Sequence, residues 1–186
     1  MTTPPPAPDA GVRSARPGDA PAIGAVHAAT WLADYTELLP GRAASVDADA
    51  LAQAWAGAIE APPTLQHRVM VATAGPTLVG FVAFGPSADG DAHPVTDAEL
   101  VALHVDPSAR GAGHGSRLLN AAADVLGERG YTGLRAWVPE PDEARVRFLT
   151  AAGFAADGAT RLLDAAGDGT TRVREVRLVV GLAPAR

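Results

Sequence analysis

The chain has 186 residues, of which 47% are hydrophobic and 19% charged, and its formal net charge is −6 at pH 7. This length fits one domain of roughly 100–200 residues, and the apolar fraction excludes global disorder. The acidic balance speaks against nucleic acid or a membrane surface as the main partner.

Residues Met1–Ala10 include Pro4, Pro5, Pro6 and Pro8 and read as a disordered tail; residues 11–186 read as a single domain. The tail has no basic start and no apolar segment, so it does not read as a secretory signal. No apolar run approaches the roughly 18 residues that span a bilayer. A short strand is expected around Val12. Asp19 then suits a helix N-cap, with Ile23, Val26, His27, Thr30 and Trp31 at helical spacing. Pro40 and Gly41 break this region. A second helix takes Asp47 as cap and Leu51, Trp55, Ala58 and Ile59 as its buried face, and Pro62 and Pro63 end it. Arg68–Thr73 reads as a strand, Ala74-Gly75-Pro76 as a turn and Thr77–Phe84 as the hairpin partner. A polar loop, Pro86–Thr96, leads to a strand over Glu99–Val105, expected to be buried on both faces.

After a glycine-rich turn, Leu118, Leu119, Ala122, Val125 and Leu126 mark an amphipathic helix closed by Arg129 and Gly130. Leu134–Val138 is a fifth strand. Pro141, Asp142 and Glu143 suit the first turn of a helix that runs to Gly153. Two further strands, about Thr160–Leu163 and Arg172–Val180, flank a Gly167-Asp168-Gly169 turn. This order describes a mixed α/β (α+β) domain with helices packed on a central sheet.

The chain has no cysteine. That excludes a disulfide framework, a thiolate zinc site and a cysteine nucleophile. It is compatible with the cytoplasm, the expected location. The five histidines show no metal-ligand spacing, and no metal is expected. All fifteen cationic residues are arginine. In so alanine-rich a chain this reads as codon bias.

The informative stretch is Val105-Asp106-Pro107-Ser108-Ala109-Arg110-Gly111-Ala112-Gly113-His114-Gly115-Ser116, between a strand and a helix. Its glycines let backbone N–H groups converge with no side chain in the way. At a helix N-terminus those donors and the dipole favour an anion such as phosphate, and Arg110 adds a fixed positive charge. The chemistry implied is pyrophosphate binding. A Walker A loop needs lysine after its last glycine, and Ser116 stands there. A Rossmann fingerprint needs G-x-G-x-x-G, whose third glycine would fall on Ser116. The remaining pattern is Arg-x-x-Gly-x-Gly, filled by Arg110, Gly113 and Gly115.

That pattern resembles the coenzyme A pyrophosphate loop of the GNAT superfamily of N-acetyltransferases. Glu99-Leu100-Val101-Ala102-Leu103-His104-Val105-Asp106-Pro107 is similar to the family's fourth strand and its V-x-P exit. Phe148-Leu149-Thr150-Ala151-Ala152-Gly153-Phe154 resembles its F-Y-x-x-x-G-F helix ending. Val26–Tyr35 and Leu38-Leu39-Pro40 resemble a bacterial subgroup with a W-x-x-x-Y…L-L-P segment. The resemblance implies a mostly antiparallel sheet of about seven strands with about four helices. In such a sheet the fourth and fifth strands splay apart beside a β-bulge.

It also implies a site. The backbone of Leu103, His104 and Val105 would hold the pantetheine arm of acetyl-CoA. The N–H groups of Gly111, Ala112, Gly113, His114, Gly115 and Ser116, with Arg110, would cradle the pyrophosphate. A backbone N–H would polarise the thioester carbonyl. The reaction implied is direct attack by an amine in a ternary complex, the acceptor most simply a small molecule. An amine with a pKa of about 10.4 arrives protonated. Glu99 stands where some members carry a glutamate base; a solvated glutamate at a strand start is the other reading.

Two departures from the family pattern stand out. Leu149 replaces a tyrosine proposed to protonate the leaving thiolate. A thiol of pKa about 8.5 leaves reasonably well unaided, Tyr35 could serve instead, or the domain could be an acyl-CoA-binding regulatory or sensory module. Asp142 replaces a common asparagine and is not assigned as a ligand. His27, Trp31 and Tyr35 share a helical face, either as core or as acceptor-site residues; Trp31 and Tyr35 are the substrate-binding candidates. Asp34 and Glu37 either attract a cationic amine or are solvated. His104 either lines the cleft or packs under the sheet. The His114 imidazole reads as incidental, and Arg145 and Arg147 as solvated charge. Dimerisation is common in the family.

Overall fold

Alternating apolar residues in seven segments pair into one sheet, and four helices cover its two faces. The computed structural model describes residues 10–36, 46–164 and 172–183. In chain order the elements are β1 (Ala10–Ser14), α1 (Ala20–Tyr35), α2 (Ala48–Glu60), β2 (Arg68–Ala74), β3 (Thr77–Pro86) and β4 (Asp97–Val105). They continue as α3 (His114–Glu128), β5 (Gly133–Pro139), α4 (Glu143–Ala151), β6 (Ala155–Asp164) and β7 (Arg172–Gly181). The sheet order is β1-β2-β3-β4-β5-β7-β6. Neighbours are antiparallel except β4 and β5, which are parallel. Residues 1–9 of the expected tail, Glu37 and Leu38-Leu39-Pro40, the break at Pro40 and Gly41, and the Gly167-Asp168-Gly169 turn lie outside the described residues. Ala10, read as the last tail residue, is the first of β1.

The helix ends follow their capping chemistry, with one correction. Asp47 caps α2 by accepting from the Asp49 and Ala50 amides, a contact of about 1 kcal/mol. Asp19 occupies the cap position of α1 without capping it. Its carboxylate is taken by the Arg13 guanidinium (2.7 and 2.8 Å) and the Arg16 amide (2.7 Å), which are stronger, charge-assisted partners. The α3 and α4 helices both close in Schellman fashion. Tyr131 N–H reaches Leu126 C=O at 3.0 Å and Phe154 N–H reaches Leu149 C=O at 3.1 Å. Gly130 and Gly153 supply the left-handed residue, at φ +85° and +96°. β6 begins earlier than the apolar pattern suggests, because an irregularity between Ala156 and Thr160 admits the small Asp157-Gly158-Ala159 stretch into the strand.

Two cores result. Leu118, Leu126 and Leu149 pack on Phe84, Leu100 and Leu134 on the α3/α4 side. Ile23 and Val26, with Trp55 and Ile59, pack on Val71, Phe81 and Ala102 on the α1/α2 side. Helices α1 and α2 cross at Gly24, where an added Cβ would lie 2.6 Å from the Ala48 carbonyl and 2.7 Å from the Ala52 amide. Neither backbone atom can yield. Gly24→Ala is therefore expected to destabilise the fold by about 1–3 kcal/mol, read as a lower urea midpoint. An unchanged midpoint would mean that the two helices can part freely.

β4 is not buried on both faces. Ala98, Leu100, Ala102 and His104 are buried, their neighbours are partly open, and Val101 is 59% exposed. The cause is a bulge: Ala83 pairs with Ala102 and Phe84 with Leu100, leaving Val101 unpaired. Below it, Ala98 and Leu100 face the α3 side; above it, Leu103 and Val105 do, while Ala102 faces α1. β4 meets β5 only through Asp97–Gly133, Ala98–Leu134 and Glu99–Arg135. Beyond that the strands part, and β5 stays paired with β7 as far as Pro139.

Candidate active site

The glycine-rich turn supplies the first half of the site. Gly111 and Gly113 have φ of +80° and +81°, a region costly for any residue with a Cβ. Gly113 is the α3 N-cap and offers no side-chain cap, so the first amides of α3 keep no side-chain acceptor. They face a cavity of about 440 Å³. Gly111, Gly113, His114, Gly115 and Ser116 line it, as do Leu103 and Val105 of β4. Gly115 lets the Phe148 ring approach: an added Cβ would sit 3.4 Å from it. These donors at a helix N-terminus, beside a cavity that also takes in Leu103 and Val105 of β4 and Phe148 of α4, fit a pyrophosphate with an attached arm.

Three candidate residues are placed differently from the rest of the loop. Ala112 is exposed and does not line the cavity; its carbonyl accepts from Arg117 at 3.0 Å. Arg110 lines it, but its guanidinium is held by Asp34 in a two-pronged ion pair (2.7 and 2.8 Å). Asp34 is thus committed to a partly exposed ion pair, and Arg110 is not a free charge. The His104 side chain turns to the opposite face and lines a second cavity.

That second cavity, of about 330 Å³, is walled by His27, Trp31, Tyr35, Trp55 and Trp137, with Glu99 and Glu175 among its acidic residues. Leu100, Val101, Ala102, Trp137 and Arg145 line both cavities. The two spaces therefore adjoin where β4 and β5 part. Glu99 lies only on the second. Burial first, and then the Asp89 carboxylate, push the Glu99 pKa up; Arg161, the Ala88 amide and the Ser87 side chain oppose this. Asp89 is held in place by the Trp137 indole N–H (3.0 Å) and by Arg177 (3.0 Å). Arg161 stacks on Trp137 at 4.4 Å and pairs with Glu175 at 2.6 Å.

Tyr35 lines the second cavity but its hydroxyl donates to Asp142 at 2.9 Å. Burial foremost holds the phenol well above its ordinary pKa. Asp142 also caps α4 by accepting from the Arg145 amide at 3.0 Å. Its role is to tie α1 to α4. Leu149 is buried and lines the first cavity, so the position of the family's tyrosine offers no proton. The His114 imidazole is buried. Arg147 is exposed, as solvated charge would be, and pairs with the likewise exposed Glu143. Arg145 is less open: its side chain is 22% exposed and reaches both cavities.

His27 and His104 stack with ring centroids 4.6 Å apart. Burial, and then the Arg145 charge, lower both pKa values, that of His27 to about 4 and that of His104 well below its ordinary value. Each folded pKa lies below the unfolded one, so the unfolded chain binds more protons between them. Stability is expected to be full above about pH 6.5 and to fall as the pH drops toward 4. The limiting slope is about 1.4 kcal/mol per pH unit for each imidazole. Thermal melts across this range check it; a flat profile would mean that both rings can protonate in place.

Sequence reasoning missed Trp137 and Arg145. Trp137 had a signal: alternation in Leu134-Arg135-Ala136-Trp137-Val138 puts it in phase with Arg135, off the buried face. A large aromatic in a strand's polar phase marks a wall of something. Arg145 had none, since its reach depends on where α4 docks.

No curated protein matches the sequence significantly. Solved structures match the fold over almost the whole chain. One is assigned as a phosphinothricin N-acetyltransferase, with 21% identity, 94% of this chain and 99% of that chain covered, and a TM-score of 0.70. Another is yncA of Salmonella typhimurium, assigned as an acetyltransferase and solved with acetyl-CoA, with 20% identity, 94% of each chain covered and a TM-score of 0.63. A third is the ribosomal-protein-alanine N-acetyltransferase of Brucella melitensis, with 20% identity, 92% and 99% covered and a TM-score of 0.68. The sequence profile of the acetyltransferase (GNAT) family matches residues 29–154. That span runs from α1 through the glycine-rich turn to the end of α4, and the chain belongs to this family.

Proposed function

We propose that the chain transfers the acetyl group of acetyl-CoA to an amine of a small molecule, by direct attack in a ternary complex. The observation that carries this reading is the meeting of two cavities at the β4/β5 splay, one lined by backbone donors and the other by Glu99. Acetyl-CoA supplies an acetyl thioester.

The amides of Gly111, Gly113, His114, Gly115 and Ser116 hold the pyrophosphate, and the strand edge at Leu103 to Val105 holds the arm. Glu99 takes the proton that the acceptor ammonium must lose before its nitrogen can attack. Its raised pKa makes it a better proton acceptor than a solvated carboxylate. Trp31 and Tyr35 wall the acceptor side, and Phe148 and Leu149 keep the coenzyme channel apolar. Leu149 donates no proton, so the thiolate leaves unassisted from that position.

The same leucine favours the second reading, an acyl-CoA-binding module with weak or no catalysis. Thiol release from acetyl-CoA with an amine panel separates the two. Amine-dependent release supports transfer. Tight acetyl-CoA binding with no release from any amine supports the module.

A further inference from the structure

Three polar groups of the second cavity have no task in the transfer step. The Arg145 guanidinium meets one protein partner among the described residues, Asp142, through Nε at 3.3 Å. Its two Nη groups are left over. His104 is only 6% exposed, yet its Nδ1 has no partner. His27 spends Nδ1 on the Trp55 indole N–H at 3.1 Å, and its Nε2 meets nothing among the described residues. All three residues line the same cavity, and the His27 and His104 rings lie against each other with centroids 4.6 Å apart. Of these atoms His104 Nδ1 is fully buried without a partner, and such an atom calls for one that the protein does not supply. A guanidinium fork beside two imidazoles is a receptor for an oxyanion.

The carboxylates around the site are otherwise engaged. Glu175 is paired with Arg161, Asp34 with Arg110, and Asp142 with Tyr35 and Arg145. Glu99 makes no salt bridge among the described residues. The cavity therefore has one carboxylate without a salt bridge. Of its two guanidiniums, Arg161 pairs closely with Glu175 at 2.6 Å and stacks on Trp137, whereas Arg145 makes only the longer 3.3 Å contact with Asp142. Between Glu99 and Arg145 stand apolar aromatic walls, in a volume of about 330 Å³ that suits a small molecule.

Resting on the acetyl-transfer reading, we propose that the acceptor is a compact amino acid-like molecule, its amine at Glu99 and its carboxylate (or an equivalent oxyanion) at the corner formed by Arg145, His27 and His104. The aromatic walls then take an apolar side chain.

The test pairs free L-phenylalanine, L-leucine and L-methionine with their carboxamides, and adds spermidine as an amine without an anion. The free acids are expected to exceed their amides in kcat/KM by about tenfold or more. Arg145→Gln should bring that ratio close to one, and Arg145→Lys should restore part of it. Because Arg145 also borders the coenzyme cavity, acetyl-CoA affinity is titrated for each variant. Independently, the ring resonances of His27 and His104 should shift on adding a free amino acid and not its amide. Equal use of amides or of spermidine would overturn the proposal while leaving acetyl transfer in place. If no amine releases thiol, the acetyl-transfer reading falls, and the ring resonances alone decide the corner. Unmoved rings with every amino acid overturn it.

Discussion

Gly113→Trp is expected to weaken acetyl-CoA binding by about 100-fold or more, measured by calorimetric titration, in a chain that still folds. Two facts separate the binding effect from the folding effect. The Gly113 backbone sits at φ +81°, where a side chain costs about 1–2 kcal/mol. An added Cβ would find only the end of the long Arg117 side chain nearby, at 3.7 Å. The melting temperature should therefore fall by about 2–8 °C for a chain of this size. The indole, however, would stand among the first amides of α3, the donors assigned to the pyrophosphate. An unchanged Kd would move the pyrophosphate site away from this turn, and with it the orientation of the whole coenzyme.

Glu99→Gln is expected to lower kcat by roughly 10²- to 10⁴-fold with the acetyl-CoA Kd unchanged, because Glu99 borders the second cavity and not the first. The pH dependence gives a second readout. A base works only when deprotonated, so kcat/KM falls as the pH drops through the Glu99 pKa. Burial and Asp89 hold that pKa above the ordinary glutamate value, so the acidic limb should lie above it too. In the glutamine variant this limb should vanish. A variant with parental rate and parental limb would remove Glu99 from the mechanism.

The parts of the site legible in the sequence are those built from contiguous backbone. Gly111 to Ser116 announce themselves because their function needs glycine conformations and a following helix, both local properties. Glu99 came from the resemblance to the family's fourth strand, where some members carry a glutamate, and the structure puts it on the second cavity. What escaped is what tertiary structure assembles. Asp34 and Arg110 are 76 residues apart, and the second cavity draws on α1, α2, β4, β5, α4, β6 and β7. Arg145 resembled any solvated arginine near a helix start, because its neighbours His27 and His104 lie far away in the chain. Asp19 failed as a cap for a similar reason: Arg13, in β1, reaches its carboxylate first. The strand over Glu99–Val105 looked buried on both faces because its run of apolar residues contains one more than the ladder needs.

That surplus residue, Val101, bears on how such a cleft could come into being. Phe84 is opposite Leu100 and Ala83 is opposite Ala102. Excising Val101 would leave an unbroken ladder in which the flanking residues keep the faces they now occupy. Leu100 would still enter the α3 core and Ala102 the α1 core. What would go is the bend that steers β4 away from β5. The expected product of the deletion is a well-formed sheet whose parallel pair runs on past Glu99 and Arg135, more regular than the parent and with nowhere to put a ligand. On this account the cavity needs no special lining to exist. It is the geometric remainder of a miscount by one between β3 and β4.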